Sequence, residues 1–124
     1  MIQPVDLQHA SRLINHGPTV IVSAEHSGRR NLMTAAWSMP VEFTPPRIAV
    51  VIDKSTFTRT LVLASGRFGI NIPCRAQADL TYTVGSSTGH ELPDKFAHFG
   101  IDHFDGPALH LPLVACLLYT SRCV

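Results

Sequence analysis

Gly28-Arg29-Arg30-Asn31-Leu32-Met33-Thr34-Ala35-Ala36-Trp37 is the stretch on which the reading of this chain turns. It opens with a turn residue and two cations and gives way to small side chains. Between Asn31 and Trp37, the run Met33-Thr34-Ala35-Ala36 leaves a strand backbone nearly bare. Bare backbone with polar groups at one end suits a flat ligand with a polar edge lying along a strand. The plainer alternative is a hairpin turn feeding an ordinary core strand, and the stretch alone leaves both open.

Working outward, the preceding Thr19–Ala24 run is β-branched and reads as a first strand, with Glu25-His26-Ser27-Gly28 as the turn of a hairpin. The second strand is expected from Asn31 to Trp37, continuing toward Phe43. Thr44-Pro45-Pro46 breaks it, because consecutive prolines cannot serve a central ladder. Arg47–Ile52 is nearly continuous in apolar residues and predicts a third strand buried on both faces. Ser55 or Thr56 can cap a helix running through Leu61, Val62 and Ala64, which Ser65-Gly66 ends. Phe68–Pro73 reads as a fourth strand and Ala76–Val84 as a helix, weakened by Thr81 and Thr83. Gly85–His90 is loop, Pro93–Ala97 starts a short helix with Pro93 in its first turn, and Ala108–Val114 begins another strand. Upstream, Val5–Ile14 carries a short helical stripe that Asn15-His16-Gly17-Pro18 stops. The expectation is one mainly β domain with short helices, its hairpins favouring an antiparallel sheet or barrel over a doubly wound sheet. No glycine-rich dinucleotide fingerprint follows a strand.

Composition narrows the function classes. The 124 residues are 45% hydrophobic and 15% charged with a net charge of +1, which describes a globular chain. The charge is too small and too scattered to favour nucleic acid or an anionic membrane surface. Neither a secretory signal nor an apolar run of about 18 residues is present, so the expected setting is cytoplasmic. Cys74, Cys116 and Cys123 match neither a disulfide framework nor a zinc spacing. The end of the chain, Cys116-Leu117-Leu118-Tyr119-Thr120-Ser121-Arg122-Cys123-Val124, back-translates to a nearly palindromic DNA followed by an in-frame stop. That DNA resembles two joined transposon-end adapters. Residues 1–115 are therefore expected to be the natural domain, cut short, and 116–124 an artefact of sequencing.

Two further clusters carry candidate chemistry. Lys54–Thr60 sets two cations and four hydroxyls at a helix start, where free N–H groups and a partial positive charge suit a phosphate; a plain capped turn is the alternative. Ser86–Lys95 is a second polar cluster with Lys95 as its anion contact. His98, His103 and His110 fit no metal motif, and Cys74 has no identifiable activating base. Nothing resembles a nucleophile elbow.

Taken in order, several motifs bear a family likeness: Pro18–Ala24, Arg30–Trp37, Thr44–Val50, Thr58-Arg59, Phe68–Pro73, and Gly89 with Asp94-Lys95-Phe96. Together they resemble the flavin reductase-like, FMN-binding split-barrel family, nearest its flavoredoxin branch. The resemblance implies a split β-barrel homodimer with FMN near the subunit interface. It places Asn31, Met33, Thr34, Ala35, Ala36 and Trp37 against the flavin ring, partly through backbone groups. It gives the phosphate to Ser55, Thr58 and Arg59, sets Asn71 near the flavin, and adds a contact from Lys95. His90 departs from the arginine that relatives often carry there. The implied activity is transfer of electrons from NAD(P)H through FMN to an unnamed acceptor. The alternatives are an FMN-holding electron carrier reduced by a partner protein, and a non-functional fragment whose incomplete barrel aggregates.

Overall fold

The computed structural model describes residues 17–115; the expected helix at Val5–Ile14 and the tail at 116–124 lie outside them. The elements are β1 (Val20–His26), β2 (Arg29–Ala35), β3 (Ser38–Phe43), β4 (Pro46–Val50), α1 (Phe57–Ser65), β5 (Gly69–Asn71), a 3-10 turn (Arg75–Gln77), α2 (Ala78–Gly85), α3 (Lys95–His98), β6 (His103–Asp105) and β7 (Pro112–Val114). All the strand pairs are antiparallel.

β1 is the centre. It lies between β2 and β5 in a three-stranded sheet, and Val20 through Ala24 are all buried. Pairing of Val20 with Ala35, Val22 with Met33 and Ala24 with Asn31 puts these side chains on one face. There Phe57 and Leu61 of α1 pack on Ala24. On the other face, Ile21 and Leu32 meet Val84 of α2, Phe96 of α3, Ile101 and Val114 of β7. Cover on both faces explains why β1 is buried from Val20 through Ala24.

The β1–β2 hairpin closes through Ser27 (φ 50°) and Gly28 (φ 75°), a two-residue turn whose positive φ values match the strand twist. The two cations after the turn brace it from opposite sides. The Arg29 guanidinium sits 4.4 Å from the Phe57 ring centre, and that of Arg30 sits 4.8 Å from the Phe96 ring centre. Arg30 also pairs with Asp94 at 2.9 Å, and Asp94 caps α3 by accepting the Ala97 N–H.

Four expectations are corrected. The second strand does not continue to Phe43: it ends at Ala35, and Ser38–Phe43 forms a separate hairpin with β4. β4 is not buried on both faces. Pro46 to Ala49 are exposed, and only the last residue, Val50, is partly buried, against the cluster of Val20, Val22 and Ala35. Pro93 precedes α3 rather than joining its first turn, because Asp94 takes the cap. The strand β6 was not anticipated; its three residues are too few to show a period. Among the described residues no helix is long and apolar enough to cross a membrane.

Candidate functional site

β2 is an edge strand of its sheet, so its outer side offers backbone groups that no strand takes. Two hydrogen bonds fix which residues face out. Asn71 Nδ2 donates to the Ile21 carbonyl on the β5 side at 2.9 Å, and Lys95 Nζ donates to the Leu32 carbonyl on the outer side at 2.8 Å. The alternation of an antiparallel ladder then turns the N–H and C=O of Thr34, which pairs with Ile21, outward as well.

Beside this edge lies a cleft of about 230 Å³. Asn31, Met33 and Thr34 come to it from β2, Ser55 and Thr58 from the start of α1, and Ser87, Thr88, Gly89 and Lys95 from beyond α2. Asn31 is only 2% exposed; its Nδ2 donates to Thr58 Oγ1 at 2.9 Å, while its Oδ1 is buried without a partner. Whichever way that amide is turned, one polar atom is left unsatisfied, at a cost of about 1–3 kcal/mol if nothing reaches it. The Thr34 hydroxyl donates to the Thr81 carbonyl at 2.6 Å, which leaves its backbone groups as the polar features facing out.

The start of α1 is built by Asp53. Its carboxylate accepts the Ser55 N–H at 2.8 Å and the Ser55 hydroxyl at 2.5 Å, and the Thr56 hydroxyl donates to its carbonyl at 2.8 Å. The Ser55 bonds hold Asp53 below the usual carboxylate range, Arg59 and Lys54 adding to this against the opposing effect of burial. Of the two candidate caps, Thr56 is the one used, accepting the Arg59 N–H at 3.4 Å. The N–H groups of Phe57 and Thr58 have no acceptor within the helix. The Thr58 hydroxyl accepts from Asn31 and keeps its own hydrogen to donate. His90 closes this side: its Nε2 lies 3.0 Å from the Ser55 carbonyl, and its ring stands edge-on to Phe57 at 5.5 Å.

Lys95 is 2% exposed and its three N–H groups are all engaged, with the carbonyls of Leu32 (2.8 Å), Val84 (3.0 Å) and Ser87 (2.7 Å). Burial pushes its pKa down to about 8, and three carbonyl oxygens hold the proton in place, so it is a cation at neutral pH. An ammonium spent in this way has no N–H left for a phosphate, which corrects the expectation of a direct anion contact.

The structure thus gathers Asn31, Met33, Thr34, Ser55, Thr58 and Lys95 at one cleft. The other expected residues stand apart from it. Ala35 is in the core with Val20 and Val22. Ala36 and Trp37 lie along a shallow groove with Met39 and Val51 at the β3–β4 hairpin. Arg59 is half-buried on α1 and does not line the cleft. Asn71 is a buried brace: besides Ile21 it bonds Ser23 Oγ at 3.3 Å and accepts the Val114 N–H at 2.8 Å, joining β5 to β1 and β7. The Ser86–Lys95 cluster singled out in sequence supplies a wall of the site through Ser87, Thr88 and Gly89. What the sequence reading missed is the close packing of Gly85 and Gly89 on β2, since glycines there read as turn residues. No group of His, Cys, Asp and Glu that could hold a metal occurs among the described residues.

An edge strand with outward backbone at Thr34, a capped helix start and an unpartnered buried amide thus meet at one cleft. The comparisons give this arrangement its class. The family model of the flavin reductase like domain matches residues 11–124, and the chain belongs to that family. The chain is 56% identical over 113 residues to the uncharacterized protein YddH of Escherichia coli K12, covering 90% of this chain and 59% of that protein. It resembles the solved FMN-binding domain of a flavin reductases-like enzyme from Shewanella baltica at 44% identity and a TM-score of 0.75, covering 90% of this chain and 58% of that one. The flavoredoxin of Desulfovibrio vulgaris (Miyazaki F) is similar at 34% identity and a TM-score of 0.74, over 80% of this chain and 54% of that one. The architecture is the mainly β fold of these split-barrel proteins, and the chain spans somewhat under two thirds of each relative's length.

Proposed function

We propose that the chain binds FMN at the cleft beside β2 and passes electrons from NAD(P)H through it to an acceptor. The observation that carries this reading is the buried Asn31 amide, with one polar atom unpaired, in a cleft that also receives the start of α1. Two relatives, the Shewanella baltica domain and the Desulfovibrio flavoredoxin, support the choice of flavin.

The residues present fit the group. At the phosphate end stand the Thr58 hydroxyl and the free N–H groups at the start of α1, with Arg59 one residue on. The Ser55 hydroxyl gives its hydrogen to Asp53 and would have to turn away from it to donate to the phosphate. At the ring end stand Asn31, the side chain of Met33 and the outward N–H and C=O of Thr34. FMN, when bound, supplies a ring that takes up a hydride and releases electrons singly or in pairs. The protein's part is to orient that ring, and a Thr34 N–H placed at its polar rim favours the reduced, more negative form. Lys95 contributes a fixed positive charge in the wall, without a carboxylate partner among the described residues, and acts in the same direction.

We further propose that the working form is a homodimer. Trp37, Met39, Val41, Phe43 and Ile48 are all at least half exposed on the β3–β4 hairpin, an apolar surface that a second copy would cover. NAD(P)H as donor goes with a cytoplasmic setting. Titration of the purified chain with FMN tests the binding, and anaerobic addition of NADH or NADPH tests the activity. Bleaching of the bound flavin within seconds is expected. Binding without bleaching would make the protein a carrier reduced by a partner, and no binding would end the proposal.

A further inference from the structure

The segment after α2 turns on itself, the Glu91 and Leu92 N–H groups bonding the Thr88 carbonyl, and is held against the cleft by groups from other elements. Two glycines pack on the cleft residues. A Cβ on Gly89 would stand 2.6 to 2.7 Å from three atoms of the Asn31 amide, and one on Gly85 would stand 3.0 to 3.1 Å from the Thr34 Cβ and hydroxyl. A side chain at 89 would force the Asn31 amide to move, and one at 85 would press Thr34 aside by a few tenths of an ångström. These close approaches place the loop backbone directly over the two β2 side chains of the site.

A side chain from a third element ties the loop to the strand. Lys95, the first residue of α3, spans the outer edge of β2 at Leu32, the last turn of α2 at Val84 and the loop at Ser87. Its three acceptors are all backbone carbonyls, so the bond set reads backbone position and not side-chain identity. The Ser87 hydroxyl then ties the same loop back to Thr83 and Val84 at 3.0 and 3.3 Å. By occupying the Leu32 carbonyl, Lys95 also leaves Thr34 as the next free position along the β2 edge, which sets where an external polar group can bond.

We propose that Lys95 is a positioning residue: it holds the Gly85–Gly89 loop against β2 and so fixes the Asn31 amide and the Thr34 backbone for the ligand. This rests on the FMN reading above, and the experiment keeps the two apart. Amide hydrogen exchange is measured on ligand-free protein for wild type, Lys95→Met, Gly89→Ala and, as a control for destabilisation alone, Val114→Ala. FMN affinity is measured in parallel from flavin fluorescence, with the visible circular dichroism of the bound flavin.

Lys95→Met is expected to speed exchange at least tenfold in 29–36 and 85–90, and to weaken FMN at least tenfold with an altered dichroism. Gly89→Ala leaves the ammonium and its carbonyls in place but displaces Asn31. It is expected to weaken FMN by a similar factor, so the proposal stays testable if Lys95→Met does not fold. Val114→Ala is expected to lower stability with FMN affinity and dichroism unchanged. Failure of wild type to bind FMN would overturn the flavin reading alone, because the exchange data would still test the tie. Unchanged exchange in both segments for Lys95→Met, or unchanged affinity and dichroism for Gly89→Ala in flavin-binding protein, would overturn the positioning role.

Discussion

β1 and β4 are both short apolar runs, Val20-Ile21-Val22-Ser23-Ala24 and Arg47-Ile48-Ala49-Val50, yet the first is buried throughout and the second lies mostly open. β1 is covered by α1 on one face and by α2, α3 and β7 on the other. β4 pairs with β3 alone, and only its last residue, Val50, packs on the β1–β2 core. Phe43 at the end of that hairpin is 89% exposed. The difference teaches that the chain has one finished half and one unfinished half. The finished half carries the cleft; the other presents an apolar surface suited to a partner, which the homodimer proposal assigns to a second copy.

The comparison can be broken most easily at its buried end. Leu32→Ala should destabilise the chain by about 2–5 kcal/mol in denaturant unfolding, since the side chain is fully buried against Ile21 and Val84. Val41→Ala, a comparable truncation on the open hairpin, should change stability by no more than about 0.5 kcal/mol. Equal costs would show that the hairpin is already packed. Its interface role is read by sedimentation. Phe43→Ser combined with Met39→Ser should turn a dimer into a monomer, and a variant that stays dimeric would move the interface elsewhere.

A smaller effect tests the helix that frames the phosphate end. Thr56→Ala removes the cap of α1 and should cost about 1 kcal/mol, read in thermal unfolding; no loss would mean that another group caps the helix. The smallest effect concerns pH. Burial raises the Asp94 carboxyl, but the Arg30 bond and the Ala97 N–H outweigh it and hold the group below its ordinary 3.8. A carboxylate depressed in the folded state stabilises above its unfolded pKa and loses that contribution as pH falls through the folded value. The stability gap between wild type and Asp94→Asn should therefore be full at pH 6 and shrink below about pH 4. A gap that does not move with pH would show the Arg30 pair to be silent.

Much of the finished half was legible in sequence. The β-branched run, the turn signal before Arg29 and a hydroxyl before Phe57 each declare local structure. β1 and α1 form there, β1 running on through Glu25 and His26 of the expected turn, while β2 follows the turn but ends at Ala35. What the sequence hides is the identity of each residue's distant neighbour. An apolar run such as Arg47–Ile52 says that a strand wants cover, not whether the described chain supplies it. Asn71 reads as a polar group near the ligand, and only the approach of β1 and β7 turns it into a brace. Lys95 reads as a free cation, and its three carbonyls come from segments up to 63 residues away. The loop glycines look like ordinary turn residues until Gly89 is seen against Asn31.

The central claim is that the cleft at Asn31 holds FMN. Equilibrium titration of wild type and Asn31→Leu with FMN, followed by flavin fluorescence, tests it most directly. Leucine keeps the forked shape, though it is bulkier, and removes both the bond to Thr58 and the unpaired amide atom. The prediction is saturable binding by wild type and at least tenfold weaker binding by the variant, with both chains folded by circular dichroism. Equal affinity in the two would contradict the account.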